Sequence, residues 1–257
     1  MLLHNVYFSA KGTTKACARC IREAIGLESR AYPWLRQPPT GPVDIPAGDA
    51  LLLSLPVYGG WIPSLCLPWV QQLRGHDTPA VIVAVYGNRH FDNVLAQMQT
   101  LLEQQGFRVI AAGAFVAEHS IFPQVAAGRP DNRDRAAMTE FGRRCGALLA
   151  GDLPAGRLSL PGEPQPPQTE RKPAGMFPTG DDSCILCRAC AAVCPAHAIS
   201  RAQPKETDPM RCIQCGACIA VCHTGARNYH SEDWRERAPL FAEKCAEYQE
   251  PLWFFPD

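Results

Sequence analysis

The first 151 residues alternate short, nearly unbroken apolar runs with longer stretches of helical spacing. Leu3–Ser9, Ala50–Tyr58, Pro79–Tyr86 and Arg108–Ala117 are the apolar runs, and a weaker one covers Ser29–Leu35. Runs without polar alternation suit parallel strands covered on both faces. Between them, Thr13–Gly26, Ser64–Arg74, Phe91–Gly106 and Asn132–Ala150 carry a helical period. In the third of these, Val94, Leu95, Met98, Leu101 and Leu102 fall on one face, and Gly26 and Gly106 stand where C-terminal caps belong. The alternation predicts a doubly wound α/β domain over residues 1–152.

The texture then changes. Residues 153–180 hold seven prolines (154, 161, 164, 166, 167, 173 and 178) and four glycines. Such a stretch resists helix and sheet, and reads either as a semi-rigid linker or as a loop packed along the surface. Residues 181–230 are poor in apolar bulk and dense in cysteine, too small a unit to hold itself together without staples. Residues 231–257 read as a helix, Glu232–Glu250, and an aromatic tail, Trp253-Phe254-Phe255, expected to dock on a domain surface.

Composition narrows the function classes. Lys+Arg and Asp+Glu are both 25, so the formal charge is zero and the basic excess of a nucleic-acid binder is missing. No run of about 20 apolar residues is present, so no membrane-spanning helix is expected. The opening residues lack a cationic flank, which leads us to expect a cytoplasmic protein. Thiols stay reduced there, and 13 cysteines then read as metal ligands rather than as a disulfide framework.

Eight of those cysteines form two copies of one motif. Cys184-x2-Cys187-x2-Cys190-x3-Cys194-Pro195 is followed by Cys212-x2-Cys215-x2-Cys218-x3-Cys222. Residues 184–198 and 212–226 share nine of 15 positions, which points to duplication. Zinc sites use separated Cys-x2-Cys pairs, and triplets with a fourth cysteine three residues on fit them poorly. The spacing is that of bacterial-type ferredoxins with two [4Fe–4S] clusters. That resemblance implies one cluster on Cys184, Cys187, Cys190 and Cys222, and the other on Cys212, Cys215, Cys218 and Cys194. His223 stands where the pattern has proline, a position that ligates nothing.

Three loops at strand ends carry the remaining chemistry. Ser9-Ala10-Lys11-Gly12-Thr13-Thr14 links the first strand to a helix. Backbone N–H groups, hydroxyls and the helix dipole make such a turn an anion site, although plain capping would use the same residue types. Pro56-Val57-Tyr58-Gly59-Gly60-Trp61 follows the Ala50–Tyr58 run, offering flat aromatic faces and close backbone approach. Tyr86-Gly87-Asn88-Arg89-His90 brings an aromatic, an amide and a cation to the same rim. Glu118-His119-Ser120 follows the last strand, and His119 is either a donor to a ligand or a structural histidine. Cys17 and Cys20 read as packed thiols on a helix, because no thioredoxin-like context surrounds them.

The first loop resembles the FMN-phosphate loop of flavodoxins, departing from it at Lys11. With YFSAKGTTK, LPVYGGWIP, VYGNRHFDN, AEHSIFPQVAAGRPD and the eight cysteines, the chain resembles the flavodoxin–ferredoxin fusion family. The resemblance implies a flavodoxin-like, doubly wound, five-stranded parallel sheet followed by a small α+β two-cluster ferredoxin domain. It implies FMN held by Ser9, Lys11, Gly12, Thr13, Thr14, Pro56, Val57, Tyr58, Gly59, Gly60, Trp61, Tyr86, Gly87, Asn88, Arg89 and His119. The expected function is electron transfer between the clusters and FMN, and on to or from a redox partner protein. Two alternatives stand beside it. One is an FMN-dependent reductase of a small acceptor such as a quinone or nitro compound, with Tyr58, Trp61, His90 and His119 lining the site. The other is a redox sensor.

Overall fold

The computed structural model describes residues 1–153, 156–165 and 172–256. Three prolines of the expected linker, Pro154, Pro166 and Pro167, lie outside the described residues.

Five strands form the parallel body of one sheet: β1 Leu3–Tyr7, β2 Ser29–Pro33, β3 Ala50–Pro56, β4 Thr78–Tyr86 and β5 Phe107–Val116. A sixth strand, β6 Leu252–Phe254, pairs antiparallel with β5, Trp253 opposite Gly113. The order is β6-β5-β4-β3-β1-β2. The expected all-parallel, five-stranded sheet is thus extended by an antiparallel edge strand from the aromatic tail. Without it, the tail-side edge of β5 would expose unpaired backbone.

Both faces are covered. Leu51, Leu53 and Leu55 of β3 belong to one core, with Val94, Leu95, Met98 and Leu102 of helix α3, Val94–Gln104. The same core takes Cys66 and Val70 from a short 3-10 turn, Ser64–Cys66, and helix α2, Leu67–Val70. Ala50 and Leu52 face the other way, onto α1, Thr13–Ile25, and α4, Asn132–Ala150. Period-two alternation with apolar residues on both faces is the signature of a sandwiched sheet.

The predicted helix over Ser64–Arg74 stops at Val70. Leu73–Arg74 instead pairs in parallel with Val43–Asp44, with Val43 N donating to Gln72 O at 2.9 Å. Long-range pairing outweighs local periodicity there. Residues 156–165 lie against α3: Leu158 is buried, its carbonyl accepts from Gln99 Nε2 at 3.1 Å, and Glu163 N donates to Asn93 Oδ1.

The cysteine-rich unit is built on a two-stranded antiparallel ribbon, Thr179–Gly180 with Arg227–Asn228. Two short helices complete it, α5 Ala189–Val193 and α6 Ala217–Ala220. Helix α7, Glu232–Lys244, is capped by Ser231 Oγ and leads back to the tail strand. It runs shorter than the predicted Glu232–Glu250. No helix among the described residues is long and apolar enough to cross a membrane.

Candidate functional site

The parallel strands occur in the order 2-1-3-4-5, so the chain changes direction of winding between β1 and β3. In doubly wound sheets the crevice outside the carboxyl ends of those strands is the binding position. A cleft of about 460 Å³, its open mouth included, lies there. The loops after β1, β3, β4 and β5 all reach it: Ala10, Lys11, Thr13 and Thr14; Pro56, Val57 and Tyr58; Tyr86 and Gly87; Glu118, His119 and Ser120. The lining is completed from the other unit by Cys215.

Gly12 starts α1 in the left-handed region at φ 94°, a conformation glycine enters without strain. Ser9 Oγ accepts from Lys15 N at 3.0 Å, so Ser9 serves as a cap and Thr13 and Thr14 are the hydroxyls at the cleft. Lys11 neither points into solvent nor stands free. Its Nζ pairs with Glu118 Oε1 at 3.0 Å, both side chains half-buried. Its aliphatic stem packs over Gly216, where an added Cβ would come within 3.1 Å of Lys11 Cδ.

Tyr58 and Trp61 close a tight turn by mutual backbone hydrogen bonds of 2.8 and 3.2 Å. The residues between, Gly59 and Gly60, both have positive φ, as that turn requires. The turn separates the cleft from a second cavity of about 1020 Å³, its open mouth included, lined by Gly59, Trp61, Ile62, Ile213 and Gln214. Tyr58 lines both, and burial, together with the neighbouring Cys215, holds its phenol well above the ordinary value.

His119 accepts backbone N–H bonds from Ile121 and Phe122 at its Nδ1, each 3.1 Å. A ring accepting at Nδ1 carries its proton on Nε2. Burial, with help from the Lys11 and Arg89 charges, pushes its pKa down to about 4. His119 is therefore both structural and a neutral donor at the rim.

Five of the predicted flavin-loop residues, Gly59, Gly60, Trp61, Asn88 and Arg89, face elsewhere, as does His90 of the alternative reading. Asn88 is buried, but its amide donates to Cys245 O and Glu247 O at 2.8 Å and accepts from Arg129 Nη1 at 3.1 Å. It fastens the C-terminal tail. Arg89 is paired with Asp92, and His90 stacks on Phe91 while exposed. Trp61, with Gly59, lines the second cavity, and Gly60 is pressed against Asp92. The participant that local motif reading missed is Cys215, because only the fold brings it to the phosphate loop.

The duplicated cysteine motifs repeat in backbone conformation. Leu186 and Gln214 both have φ 56°, and Arg188 and Gly216 have φ 65° and 74°. Left-handed residues at these places turn N–H groups inward, making an anion-binding concavity. Cys184, Cys187, Cys190 and Cys222 ring one cavity of about 400 Å³, its open mouth included. Burial raises the Cys215 thiol, and the nearby Cys218, Cys194 and Cys212 push it the same way. Sulfurs accept backbone N–H bonds: Cys194 from Ala198 at 3.2 Å, Cys222 from Arg227 at 3.3 Å, Cys212 from Gln214 at 3.4 Å. None of them is joined in a disulfide. Thiols spread around a cavity, with amide donors to sulfur, fit a cluster better than a lone zinc. Burial raises Cys215 to about 12 and Cys218 to about 11, so a thiolate there needs a metal in place of its proton.

The remaining cysteines are packing residues. Burial pushes Cys17 up to about 12, and Cys66, Cys145 and Cys245 are likewise buried and raised. Cys20 lies against Arg135 O and Thr139 Oγ1 of α4.

Residues 183–226 match the family model of the 4Fe-4S dicluster domain. No curated protein matches the chain. Among solved structures, a flavodoxin of Streptococcus pneumonia TIGR4 is similar at 15% identity and TM-score 0.41, over 57% of this chain and 99% of that one. A point-mutant flavodoxin from Pseudomonas aeruginosa is similar at 16% identity and TM-score 0.40, over 59% of this chain and 100% of that one. The strand order, rather than these distant likenesses, carries the fold. The chain joins a flavodoxin-like α/β unit to a 4Fe-4S dicluster domain, the architecture of an iron–sulfur electron-transfer protein.

Proposed function

We propose that the chain transfers electrons between two [4Fe–4S] clusters and FMN, and exchanges them with a redox partner. When bound, the clusters supply single electrons and FMN takes one or two. On this reading residues 1–152 bind the flavin, 153–180 connect, 181–230 hold the clusters, and 231–257 lock the two together. The observation that carries it is Cys215: a cysteine of the second motif lines the same cleft as the phosphate loop and Tyr58.

The chain's own residues divide the work. Thr13, Thr14 and the N-terminal amides of α1 would bind the phosphate, and Lys11 would add its charge. Tyr58 and Tyr86 would flank the ring, and His119 Nε2–H would donate to it. Cys184, Cys187, Cys190 and Cys222 would hold one cluster, and Cys212, Cys215, Cys218 and Cys194 the other. The second cavity, beside Tyr58 and Trp61, favours a second reading in which a small acceptor is reduced next to the flavin.

The test is anaerobic purification with iron, acid-labile sulfide and flavin measured per chain. Cluster iron and sulfide together with stoichiometric FMN are expected. Full iron with no flavin, even after FMN is added, would remove the α/β unit from the electron path.

A further inference from the structure

The two cysteine motifs are copies, yet one buried position differs in kind. Ile199 follows the first copy and Arg227 occupies the matching place in the second, 28 residues on. Ile199 is buried in a small apolar cluster with Cys190 and Cys218. Arg227 is just as buried, at 2% exposure.

An arginine in such a place needs partners. Nη1 donates to Pro204 O at 2.7 Å and Lys205 O at 2.9 Å. Nη2 donates to Pro178 O at 3.0 Å and to Thr207 Oγ1. These are neutral acceptors. Among the described residues Arg227 makes no ion pair with a carboxylate: the nearby Asp182 pairs with Lys205 and Asp181 with His230. A buried cation without a counter-ion is costly, so the negative charge that justifies it has to come from something else nearby. The thiols are the candidates at hand. The backbone N of Arg227 donates to Cys222 Sγ at 3.3 Å. Arg227 also lines the cavity ringed by Cys184, Cys187, Cys190 and Cys222, its Nη1 shares the Pro204 carbonyl with the Cys190 thiol, and its side chain hydrogen-bonds Cys218. Cys190 and Cys222 belong to one proposed cluster and Cys218 to the other.

We propose that Arg227 is a positioning residue shared by both clusters, a buried fixed cation that favours their reduced states and so raises both reduction potentials. This rests on the cluster reading above. A thiolate-ligated iron–sulfur cubane becomes more negative by one charge on reduction, and a cation in a poorly solvated site stabilises the more negative form. Lying against sulfurs of both sets, Arg227 acts on the two together. It also cross-links the ribbon to the 204–207 segment, so charge and scaffold have to be separated by experiment.

The experiment is an anaerobic redox titration of the full-length protein, followed by electron paramagnetic resonance, with iron counted in every sample. In Arg227→Gln, both midpoint potentials should move to more negative values while iron content is kept. In Arg227→Lys, which keeps the charge and loses the planar fork, they should stay close to the parent. Unmoved potentials in an iron-replete Arg227→Gln protein overturn the proposal. So does a shift in Arg227→Lys as large as in Arg227→Gln, which would assign the effect to hydrogen bonding. Should Arg227→Gln lose its iron, Arg227→Lys decides alone: potentials near the parent support the proposal, and a clear negative shift overturns it. A parent protein that binds no clusters ends the cluster reading itself, a separate result.

Discussion

Lys11 already has a carboxylate at 3.0 Å, and that sets the terms for any anion at the start of α1. A phosphate there must compete with Glu118 for the ammonium. A charge-assisted hydrogen bond contributes about 1.5–3 kcal/mol, roughly one to two factors of ten in affinity. On the proposed flavin reading, Glu118→Gln should therefore tighten FMN binding by about tenfold, and Lys11→Ala should weaken it by a similar factor. Flavin fluorescence quenching on titration measures both. If neither variant moves the affinity, Lys11 serves the Gly216 contact and not the phosphate. Nothing in the sequence around residue 11 shows this pairing, because Glu118 is 107 positions away. Asn88 is a similar case. A polar residue at a strand end reads as a ligand contact, yet its amide is used by tail carbonyls 157 and 159 positions on.

Helix α4 shows how element packing outweighs local propensity. A Cβ at Gly142 would stand 2.6 Å from Ile21 O of α1, and one at Gly146 would stand 2.6 Å from Ile25 O. Alanine at position 142 would gain about 1 kcal/mol of helix propensity. Overpacking against a neighbouring backbone costs about 1–3 kcal/mol, and here the backbone of α1 has to move. The loss wins, so Gly142→Ala should destabilise the protein by about 1 kcal/mol, read as a lower urea midpoint with an unchanged slope. The same scale separates what is legible in the sequence from what is not. The five parallel strands are legible because burial on both faces leaves nearly pure apolar runs. The segment after Ser64 reads wrongly as one helix because Leu65, Leu67, Val70 and Leu73 keep a helical spacing, while pairing of Leu73–Arg74 with Val43–Asp44 is invisible in it. A strand as short as Leu252–Phe254 has no period to detect, and only the tail's three adjacent aromatics hint that it is covered.

At the scale of the whole molecule, the question is what keeps Cys215 against the cleft. The loop that supplies Glu118, His119 and Ser120 to the cleft is the loop that α7 grips. Phe122 and Val125 share a small core with Ala238 and Cys245. Phe241 packs on His119 and Phe122, ring centroids 5.1 and 4.7 Å apart, and Trp234 Nε1 donates to Ile121 O at 2.9 Å. Helix α7 follows directly on the cysteine unit, so it acts as a strap between the two proposed electron-carrying parts. Aromatic pairs contribute about 0.5–1.5 kcal/mol beyond the area they bury. Replacing Trp234 and Phe241 together by alanine should release the strap without touching a cysteine or a residue of the phosphate loop. Iron content should stay at the parent level, and the rate is compared at full flavin loading because Phe241 also packs on His119. Reduction of the flavin by way of the clusters, followed by stopped-flow absorbance after mixing with a one-electron donor, should slow by at least about tenfold. The factor follows from distance: once Cys215 is no longer held at the cleft, the short path between the centres exists only part of the time, and an effective rate scales with that fraction. An unchanged rate in a doubly substituted protein with full cofactor content would mean that the contact between Lys11 and Gly216 is enough to hold the path closed.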